Sequence, residues 1–243
     1  ISRTVAIVGA SEKEGFGGDT CRNVMAYADK DRVYFINPKR ETVFGKKCWP
    51  TLDSLPEDID LVVICTPQKT VEDLLRQAAA KGARGAVVYA SGYSEVGTPE
   101  GKAATESLRA LCKELDIALM GPNCAGFMNY IDKVSAFAFI SEERDRTGSI
   151  GIVSQSGQLC LSLMDSPATG FSYSISAGNC TVVSMEDYLQ YLVDDEHTRV
   201  IGLYMEGATQ PEKFVSALRA AALKRKPVVV LKTGRSEKGS RVA

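Results

Sequence analysis

Histidine and paired cysteines are nearly missing from this sequence. His197 is the single histidine, and the seven cysteines have an odd count and no Cys-x-x-Cys spacing. Zinc sites need clustered cysteine and histidine ligands, and disulfide frameworks use paired cysteines in secreted chains. We therefore predict no metal site and no disulfide framework. A reducing, cytoplasmic compartment is the best match for this cysteine usage.

Long apolar runs and an excess charge of either sign are missing as well. No run approaches the roughly 20 residues of a membrane-spanning helix, no signal peptide leads the chain, and the net charge is -1. We therefore expect neither a membrane nor a nucleic acid as partner. The 243 residues have an ordinary globular composition, with 44% hydrophobic and 24% charged residues. Because the first residue is Ile1 rather than methionine, we expect a longer polypeptide.

Apolar, β-rich runs alternate with helical patterns along the chain. The first run, TVAIVGA, has no polar face, as in a strand that is covered on both sides. An amphipathic stretch at residues 69–82 is typical of the helical segments between the runs. This alternation predicts an α/β fold with a doubly wound parallel sheet and right-handed crossovers. The five runs are TVAIVGA, RVYFINP, DLVVICTP, RGAVVYASG and IALMGPN.

The periodicity fades between residues 130 and 147, where the pattern indicates a linker or a short hairpin. A second α/β series starts with SIGIVSQSG and ends with KPVVVL, which predicts a buried strand. We predict a first domain at residues 1–130, a linker at 131–147 and a second domain at 148–243, incomplete at its carboxyl end.

Four glycines lie between the first strand and the first helix. A doubly wound fold binds nucleotide phosphates here, because small residues let the backbone approach and the helix N-terminus offers N–H groups. The loop is longer than Gly-x-Gly-x-x-Gly, which argues against a dinucleotide, and a plain strand-to-helix turn is the alternative. We favour a phosphate ligand. The glycines are Gly9, Gly15, Gly17 and Gly18.

Basic and small residues follow the next strands. Lys39 and Arg40 stand where an NAD-binding fold has an acidic residue, and they suit a ribose phosphate, as in NADP or coenzyme A (CoA), or a solvated turn. The segments CTPQ, ASGYSE and GPNCAG suit a long, thin ligand across the sheet edge, or ordinary turns. Since no histidine lies near Cys124 in the sequence, we interpret it as a packed residue rather than a nucleophile.

Two features of the second series point to phosphate chemistry. The segment SQSG, residues 154–157, opens a helix with hydroxyls and a glycine, which can form an anion cradle. It is similar to the Gly-x-Ser-x-Gly turn of hydrolases, but Ser154 replaces the first glycine and no triad histidine is visible. Glu206 ends a later strand, either as a helix cap or as a carboxylate that polarises a histidine. His197 lies among charges and indicates a solvated loop.

These motifs, in this order, resemble the NDP-forming acyl-CoA synthetases, the superfamily of ADP-forming acetyl-CoA synthetase and succinyl-CoA synthetase. The resemblance covers essentially the whole chain, and GPNC, SQSG and KTGRSE are its core. It implies an acid–thiol ligase that converts a carboxylic acid, CoA and ATP into acyl-CoA, ADP and phosphate through a phosphohistidine. It also implies a Rossmann-like CoA-binding domain, a flavodoxin-like ligase domain, and an ATP-grasp domain or β subunit that binds ATP with Mg²⁺. We expect an oligomer.

The resemblance assigns roles to individual positions. Glu206 matches the glutamate that hydrogen-bonds the phosphohistidine. The helix that steadies the phosphohistidine would open with Ser154, Gln155, Ser156 and Gly157. CoA would contact Gly9, Ser11, Gly15, Gly17, Lys39, Thr66, Pro67, Ala90, Ser91 and Asn123.

The resemblance also places the phosphohistidine a few residues beyond Ala243, after the loop KTGRSEKGSR. His197 does not fall on that position, so we expect this chain alone to bind CoA without turnover. Two alternatives remain open. A CoA-binding regulatory module needs neither SQSG nor Glu206, and an NADP-dependent oxidoreductase is disfavoured by the stretched glycine loop.

Overall fold

The first half of the chain forms a seven-stranded sheet in the computed structural model, which describes residues 4–141 and 146–233. The strand order is β3-β4-β2-β1-β5-β6-β7, and all neighbours are parallel except the short β3–β4 hairpin. The strands are β1 (Val5–Val8), β2 (Val33–Ile36), β3 (Thr42–Val43), β4 (Lys46–Trp49), β5 (Leu61–Ile64), β6 (Gly85–Val88) and β7 (Ala118–Met120).

Three helices cover the two faces of this sheet: α1 (Phe16–Tyr27), α2 (Val71–Ala80) and α3 (Pro99–Leu115). Successive residues of β1 enter opposite layers, because side chains alternate along a strand. Val8 packs in the cluster that contains Leu75 and Leu108, whereas Ile7 packs with Val24 of α1. The chain order reverses at β1, which leaves a crevice at the carboxyl ends of β1 and β5.

The second half forms a six-stranded sheet in the order β13-β12-β10-β11-β8-β9. The central strands are parallel, but β8 runs antiparallel to β11 and to β9, so this sheet is mixed. The α/β prediction is confirmed. The strands are β8 (Gly126–Asn129), β9 (Val134–Phe137), β10 (Thr147–Ser154), β11 (Phe171–Ser176), β12 (Val200–Met205) and β13 (Val228–Lys232), and the helices are α4 (Gly157–Met164), α5 (Met185–Asp194) and α6 (Pro211–Leu223).

Strands β8 and β9 belong to the second sheet, although their residues lie in the predicted first domain and linker. The segment 131–147, predicted as a linker, therefore contains a paired strand. Strand β9 and the residues after it also contact the first domain. Nδ2 of Asn23 in α1 donates to the carbonyl oxygens of Phe137 at 2.8 Å and Phe139 at 2.7 Å. The domain bounds 1–130 and 148–243 stay a prediction.

Strand β13 differs from the buried strand that its apolar run predicts. Val229, Val230 and Leu231 are 65%, 41% and 57% exposed. The strand lies at the edge of the sheet, paired only with β12 within the described residues. A search of the described helices finds none that is long and apolar enough to cross a membrane.

Candidate functional site at the carboxyl ends of the strands

The glycine loop after β1 is shaped by close backbone contacts. A Cβ atom on Gly17 would lie 2.4 Å from the carbonyl oxygen of Gly9, and one on Gly9 would lie 3.0 Å from Cγ2 of Thr66. Gly9 also has a φ of +89°, a conformation that favours glycine. The structure thus brings Gly9, Gly17 and Thr66 together, and it leaves no room for side chains where these loops meet.

Gly15 has a different part in the same loop. Its φ is +115°, but an added Cβ would meet nothing within 4 Å. It is the N-cap residue of α1 and gives the helix no side-chain cap, so no N-cap side chain satisfies the first N–H groups of α1. An uncapped helix start beside an exposed glycine fits a phosphate group. Ser11 stabilises the loop, since its Oγ accepts from the N–H of Lys13 at 3.0 Å.

The turn after β2 is tied to the glycine loop through Asn37. Nδ2 of Asn37 donates to the carbonyl oxygen of Ala10 at 2.8 Å, and its Oδ1 accepts from the N–H of Lys39 at 2.9 Å. The N–H of Gly9 bonds to the carbonyl oxygen of Ile36 at 3.0 Å. These bonds hold the backbone of Lys39 beside the glycine loop, with its side chain exposed.

The loops after β5, β6 and β7 are joined in the same manner. Nε2 of Gln68, just beyond Thr66 and Pro67, donates to the carbonyl oxygen of Gly92 at 2.8 Å. The N–H of Asn123 donates to the carbonyl oxygen of Ala90 at 3.0 Å. The predicted CoA-contacting residues from Thr66 to Asn123 therefore line one continuous edge, with Ala90 and Ser91 in the middle.

Cys124 is packed rather than reactive, as expected. It is 7% exposed, and burial raises the pKa of its thiol to about 12, so the thiolate that a nucleophile requires is not populated near neutral pH. Its Sγ lies 3.4 Å from the carbonyl oxygen of Val88.

The serine-rich turn after β10 shapes the start of α4. Oγ of Ser154 donates to the carbonyl oxygen of Ser156 at 2.7 Å, and Oγ of Ser156 accepts from the N–H of Leu159 at 3.3 Å. Both hydroxyls are therefore used within the loop, and the N–H groups of Gly157 and Gln158 remain at the open first turn. Those N–H groups, more than the hydroxyls, could bind an anion.

Gln155 links this turn to Glu206. Its Oε1 accepts from the N–H of Glu206 at 2.5 Å and from the N–H of Gly207 at 3.3 Å. Lys232 fixes the same loop, because its Nζ donates to the carbonyl oxygen of Glu206 at 2.6 Å. The side chain of Glu206 is exposed, and no described residue donates a hydrogen bond to its carboxylate. Among the described residues the carboxylate of Glu206 thus has no donor, and its backbone lies beside the anion cradle.

The alternative role of Glu206 as a helix cap is wrong. Helix α6 has Gln210 as its N-cap residue, and the N–H of Gln210 donates to Oε1 of the buried Glu186 at 3.0 Å. His197 lies between α5 and β12, at the amino end of the strand whose carboxyl end leads to Glu206. Since the two ends of a strand are on opposite edges of a sheet, His197 is far from the cradle.

The two halves of the site face each other. A Cβ on Gly157 would lie 3.2 Å from Cβ of Ala125 and 3.3 Å from Cε2 of Phe139. The N–H of Ala125, next to Cys124, donates to Oγ of Ser176 at the end of β11, at 3.1 Å. The glycine-loop edge and the Ser154–Gly157 cradle are therefore two sides of one crevice.

Sequence reasoning missed several residues of this crevice. The ring of Phe16 contacts those of Tyr89 and Phe139 edge to face, with centroids 5.8 and 5.9 Å apart. Asn179, after β11, and Glu95 bond to each other across the domains. Only the tertiary fold reveals these contacts. Within residues 4–141 and 146–233, no group of three or more His, Cys, Asp or Glu side chains could hold a metal ion.

Two family models match the chain in succession. A model described as a CoA binding domain covers residues 3–130, and one described as a succinyl-CoA ligase like flavodoxin domain covers residues 147–243. The chain belongs to the NDP-forming acyl-CoA synthetase superfamily. The predicted order of a Rossmann-like CoA-binding domain and a flavodoxin-like domain is confirmed.

Curated relatives align over nearly the whole chain. A trans-feruloyl-CoA synthase from an unknown prokaryotic organism is 36% identical over 99% of this chain and 35% of its own length. An ADP-forming acetate–CoA ligase of Methanocaldococcus jannaschii is 36% identical over 99% of this chain and 34% of its own length. The alpha subunit of the ADP-forming acetate–CoA ligase II of Pyrococcus furiosus is 33% identical over 99% of this chain and 52% of its own length. The chain thus spans about a third to a half of these relatives.

Two solved structures share the fold over nearly the whole chain. PH0766 from Pyrococcus horikoshii superposes with a TM-score of 0.88 and 31% identity, over 99% of this chain and 55% of that one. The dinucleotide-forming acetyl-CoA synthetase 1 of Ca. Korarchaeum cryptofilum, in complex with phosphate and ADP, gives a TM-score of 0.87 and 30% identity, over 98% of this chain and 51% of that one.

Proposed function

We propose that this chain is the CoA-binding and phosphoryl-handling part of an acid–thiol ligase. The reaction is carboxylic acid + CoA + ATP to acyl-CoA + ADP + phosphate, the activity carried in the names of its ADP-forming relatives. The observation that carries the proposal is the single crevice in which a glycine-loop edge faces an anion cradle, beside a Glu206 carboxylate that accepts no bond from a described residue.

The first domain binds CoA in this proposal. The uncapped start of α1 beside Gly15 takes a phosphate, and the exposed amine of Lys39 neutralises phosphate charge nearby. The edge from Thr66 and Pro67 past Ala90 and Ser91 to Asn123 follows the pantetheine arm toward the second domain. Glycines and small residues suit this role because they let a thin ligand lie against the backbone.

The second domain handles the phosphoryl group. The open N–H groups at the start of α4 stabilise the charge of phosphoryl oxygens, and the dipole of α4 adds to this stabilisation. Glu206 accepts a hydrogen bond from the ring N–H of the phosphohistidine, which orients the imidazole and fixes its tautomer. Ser154, Ser156 and Gln155 keep the loops of the cradle in register.

The phosphohistidine comes from a segment outside these 243 residues, because His197 is the only histidine of the sequence and lies at the wrong edge of the sheet. An ATP-grasp domain or a β subunit binds ATP with Mg²⁺ and forms the acyl phosphate, in keeping with the alpha-subunit names of two relatives. The assembly is oligomeric. A small carboxylic acid is the substrate.

Turnover of the complete gene product tests this proposal. It is incubated with ATP, CoA and a panel of carboxylic acids, and the nucleotide product is assayed. We expect ADP and phosphate that depend on both the acid and CoA. Formation of AMP and pyrophosphate would contradict the mechanism. CoA binding without turnover on any acid would support a regulatory module instead.

A further inference from the structure

Glu95 connects three loops at the crevice, and the proposed function gives it no role. Its Oε1 accepts from the N–H groups of Gly92 at 2.6 Å and Tyr93 at 3.1 Å. Its Oε2 accepts from Nδ2 of Asn179, in the second domain, at 2.5 Å. Oδ1 of Asn179 then accepts from Nδ2 of Asn123 at 3.2 Å. The chain of bonds runs from the first domain to the second and back.

The chemistry of these groups fixes the direction of every bond. An ionised carboxylate can only accept, so Asn179 must turn its NH₂ group toward Glu95 and its oxygen toward Asn123. Asn123 must then turn its own NH₂ group toward Asn179. Its Oδ1 is therefore left on the exposed side, and no donor among the described residues bonds to it.

The ionised state of Glu95 is secured locally. Partial burial alone would raise the pKa of its carboxyl, but the hydrogen bonds from Asn179, Gly92 and Tyr93 outweigh this and lower it below the ordinary value. The backbone of Asn179 is also held, because its N–H donates to the carbonyl oxygen of Pro122 at 2.9 Å. Glu95 therefore determines the orientation of the side-chain amide of Asn179, whereas the backbone bond to Pro122 holds the loop.

We propose that Glu95 is a positioning residue that, through Asn179, turns Oδ1 of Asn123 into the crevice as a hydrogen-bond acceptor for the pantetheine arm of CoA. The donor is either an amide N–H of the arm or the terminal thiol S–H. This inference rests on the proposed function, since it takes CoA as the ligand. It adds that the site recognises a hydrogen-bond donor of the pantetheine arm as well as the shape of the arm.

Glu95→Gln reverses the relay without changing its size. Oε1 of the glutamine keeps the N–H groups of Gly92 and Tyr93, so its NH₂ group points at position 179. Asn179 must then offer its oxygen to Gln and its NH₂ group to Asn123, and Asn123 presents an NH₂ group to the ligand. We expect CoA affinity to fall about tenfold, because a donor now meets a donor.

The double variant Glu95→Gln with Asn179→Asp should restore affinity. The new aspartate accepts from both the glutamine and Asn123, so Oδ1 of Asn123 again faces the crevice. Asn179→Asp alone should weaken binding, because two carboxylates then meet. Glu100→Gln, an exposed change on the first turn of α3, is the matched control and should leave affinity unchanged.

Isothermal titration of each variant with CoA and with desulfo-CoA, together with thermal unfolding, decides the matter. If the thiol is the donor, Glu95→Gln loses affinity for CoA only; if an amide is the donor, it loses affinity for both ligands. Equal CoA affinity in the unaltered chain and in Glu95→Gln overturns the relay and leaves the proposed function intact. Loss in Glu95→Gln without recovery in the double variant also overturns it. No CoA binding by the unaltered chain overturns the proposed function itself.

Discussion

In the first domain the loops around the crevice bond mainly to one another, whereas the second domain presents a carboxylate to which no described residue donates. Gly9, Gly17 and Thr66 lie so close together that a Cβ added to either glycine would press on its neighbour, and Gln68 and Asn123 bond the next loops to one another. Around Glu206, by contrast, only the backbone is fixed, by Gln155 and Lys232. In the proposed function, the first half is a preformed surface for CoA binding, and the second half supplies the carboxylate of Glu206 for the phosphoryl chemistry.

Substitution of Gly17 by alanine should cause the largest loss of stability in the first domain. The new Cβ would lie 2.4 Å from the carbonyl oxygen of Gly9, and backbone atoms cannot turn away as a side chain can. We expect the free energy of unfolding to fall by about 3 kcal/mol, and CoA affinity to fall with it. Chemical denaturation and titration calorimetry measure the two effects.

Gly207→Ala is the matched change in the second half. An added Cβ meets nothing within 4 Å there, so stability should stay within about 0.5 kcal/mol of the unaltered chain. Equal losses in the two glycine variants would show that the halves do not differ in packing.

Glu206→Gln should separate binding from chemistry. The amide keeps the size but loses the negative charge that, in the proposed function, holds the phosphohistidine ring. We expect turnover of the complete gene product to fall about 100-fold, with the dissociation constant for CoA unchanged. A change in CoA affinity of similar size would assign Glu206 to the binding half instead.

The stability of the second domain should depend on pH through Asp187. This residue completes the capping box of α5 with Ser184 and forms an ion pair with Lys213. Burial opposes ionisation of Asp187, but the bonds from Lys213 and Ser184 lower the pKa of its carboxyl below the ordinary 3.8. The carboxylate therefore stabilises the fold above pH 3.8, and this contribution is lost as the pH falls through the lower folded-state value. In Asp187→Asn, unfolding curves between pH 5 and pH 2 should show a shallower loss of stability. An unchanged slope would contradict this assignment.

The smallest effect is expected at the surface of the first domain. Nη1 of Arg76 lies 2.9 Å from Oε1 of Glu114, and both side chains are at least half exposed. Arg76→Ala should lower the free energy of unfolding by less than about 1 kcal/mol, and the loss should shrink further at high salt. Thermal unfolding at two salt concentrations checks this.

The fold was predictable where one local pattern decides the element. The amphipathic stretch at residues 69–82 predicts a helix, and α2 spans Val71–Ala80. The β3–β4 hairpin was not predictable, because β3 has two residues and β4 begins with two lysines, which do not read as a strand. Membership of β8 and β9 in the second sheet depends on tertiary pairing with β11, which no local pattern encodes.

The candidate site divides in the same way. Gly9, Gly17 and the Ser154–Gly157 turn could be proposed from the sequence because they lie at the ends of predicted strands. The bond between Glu95 and Asn179 could not be predicted, since the two residues are 84 positions apart and the bond depends on which atoms face each other. The assigned contacts of individual residues with CoA remain predictions until they are measured.

Backbone hydrogen bonds join the loop after β7 to the loop after β11 across the two domains. The N–H groups of Asn179, Thr181 and Val183 donate to the carbonyl oxygens of Pro122, Gly121 and Leu119 at 2.9, 3.1 and 3.2 Å. These three hydrogen bonds make the two sheets a single cooperative unit, so both sheets should unfold in one calorimetric endotherm on heating. A nucleotide bound at the first sheet would then protect the second, by about 2.7 kcal/mol at a ligand concentration 100 times its dissociation constant.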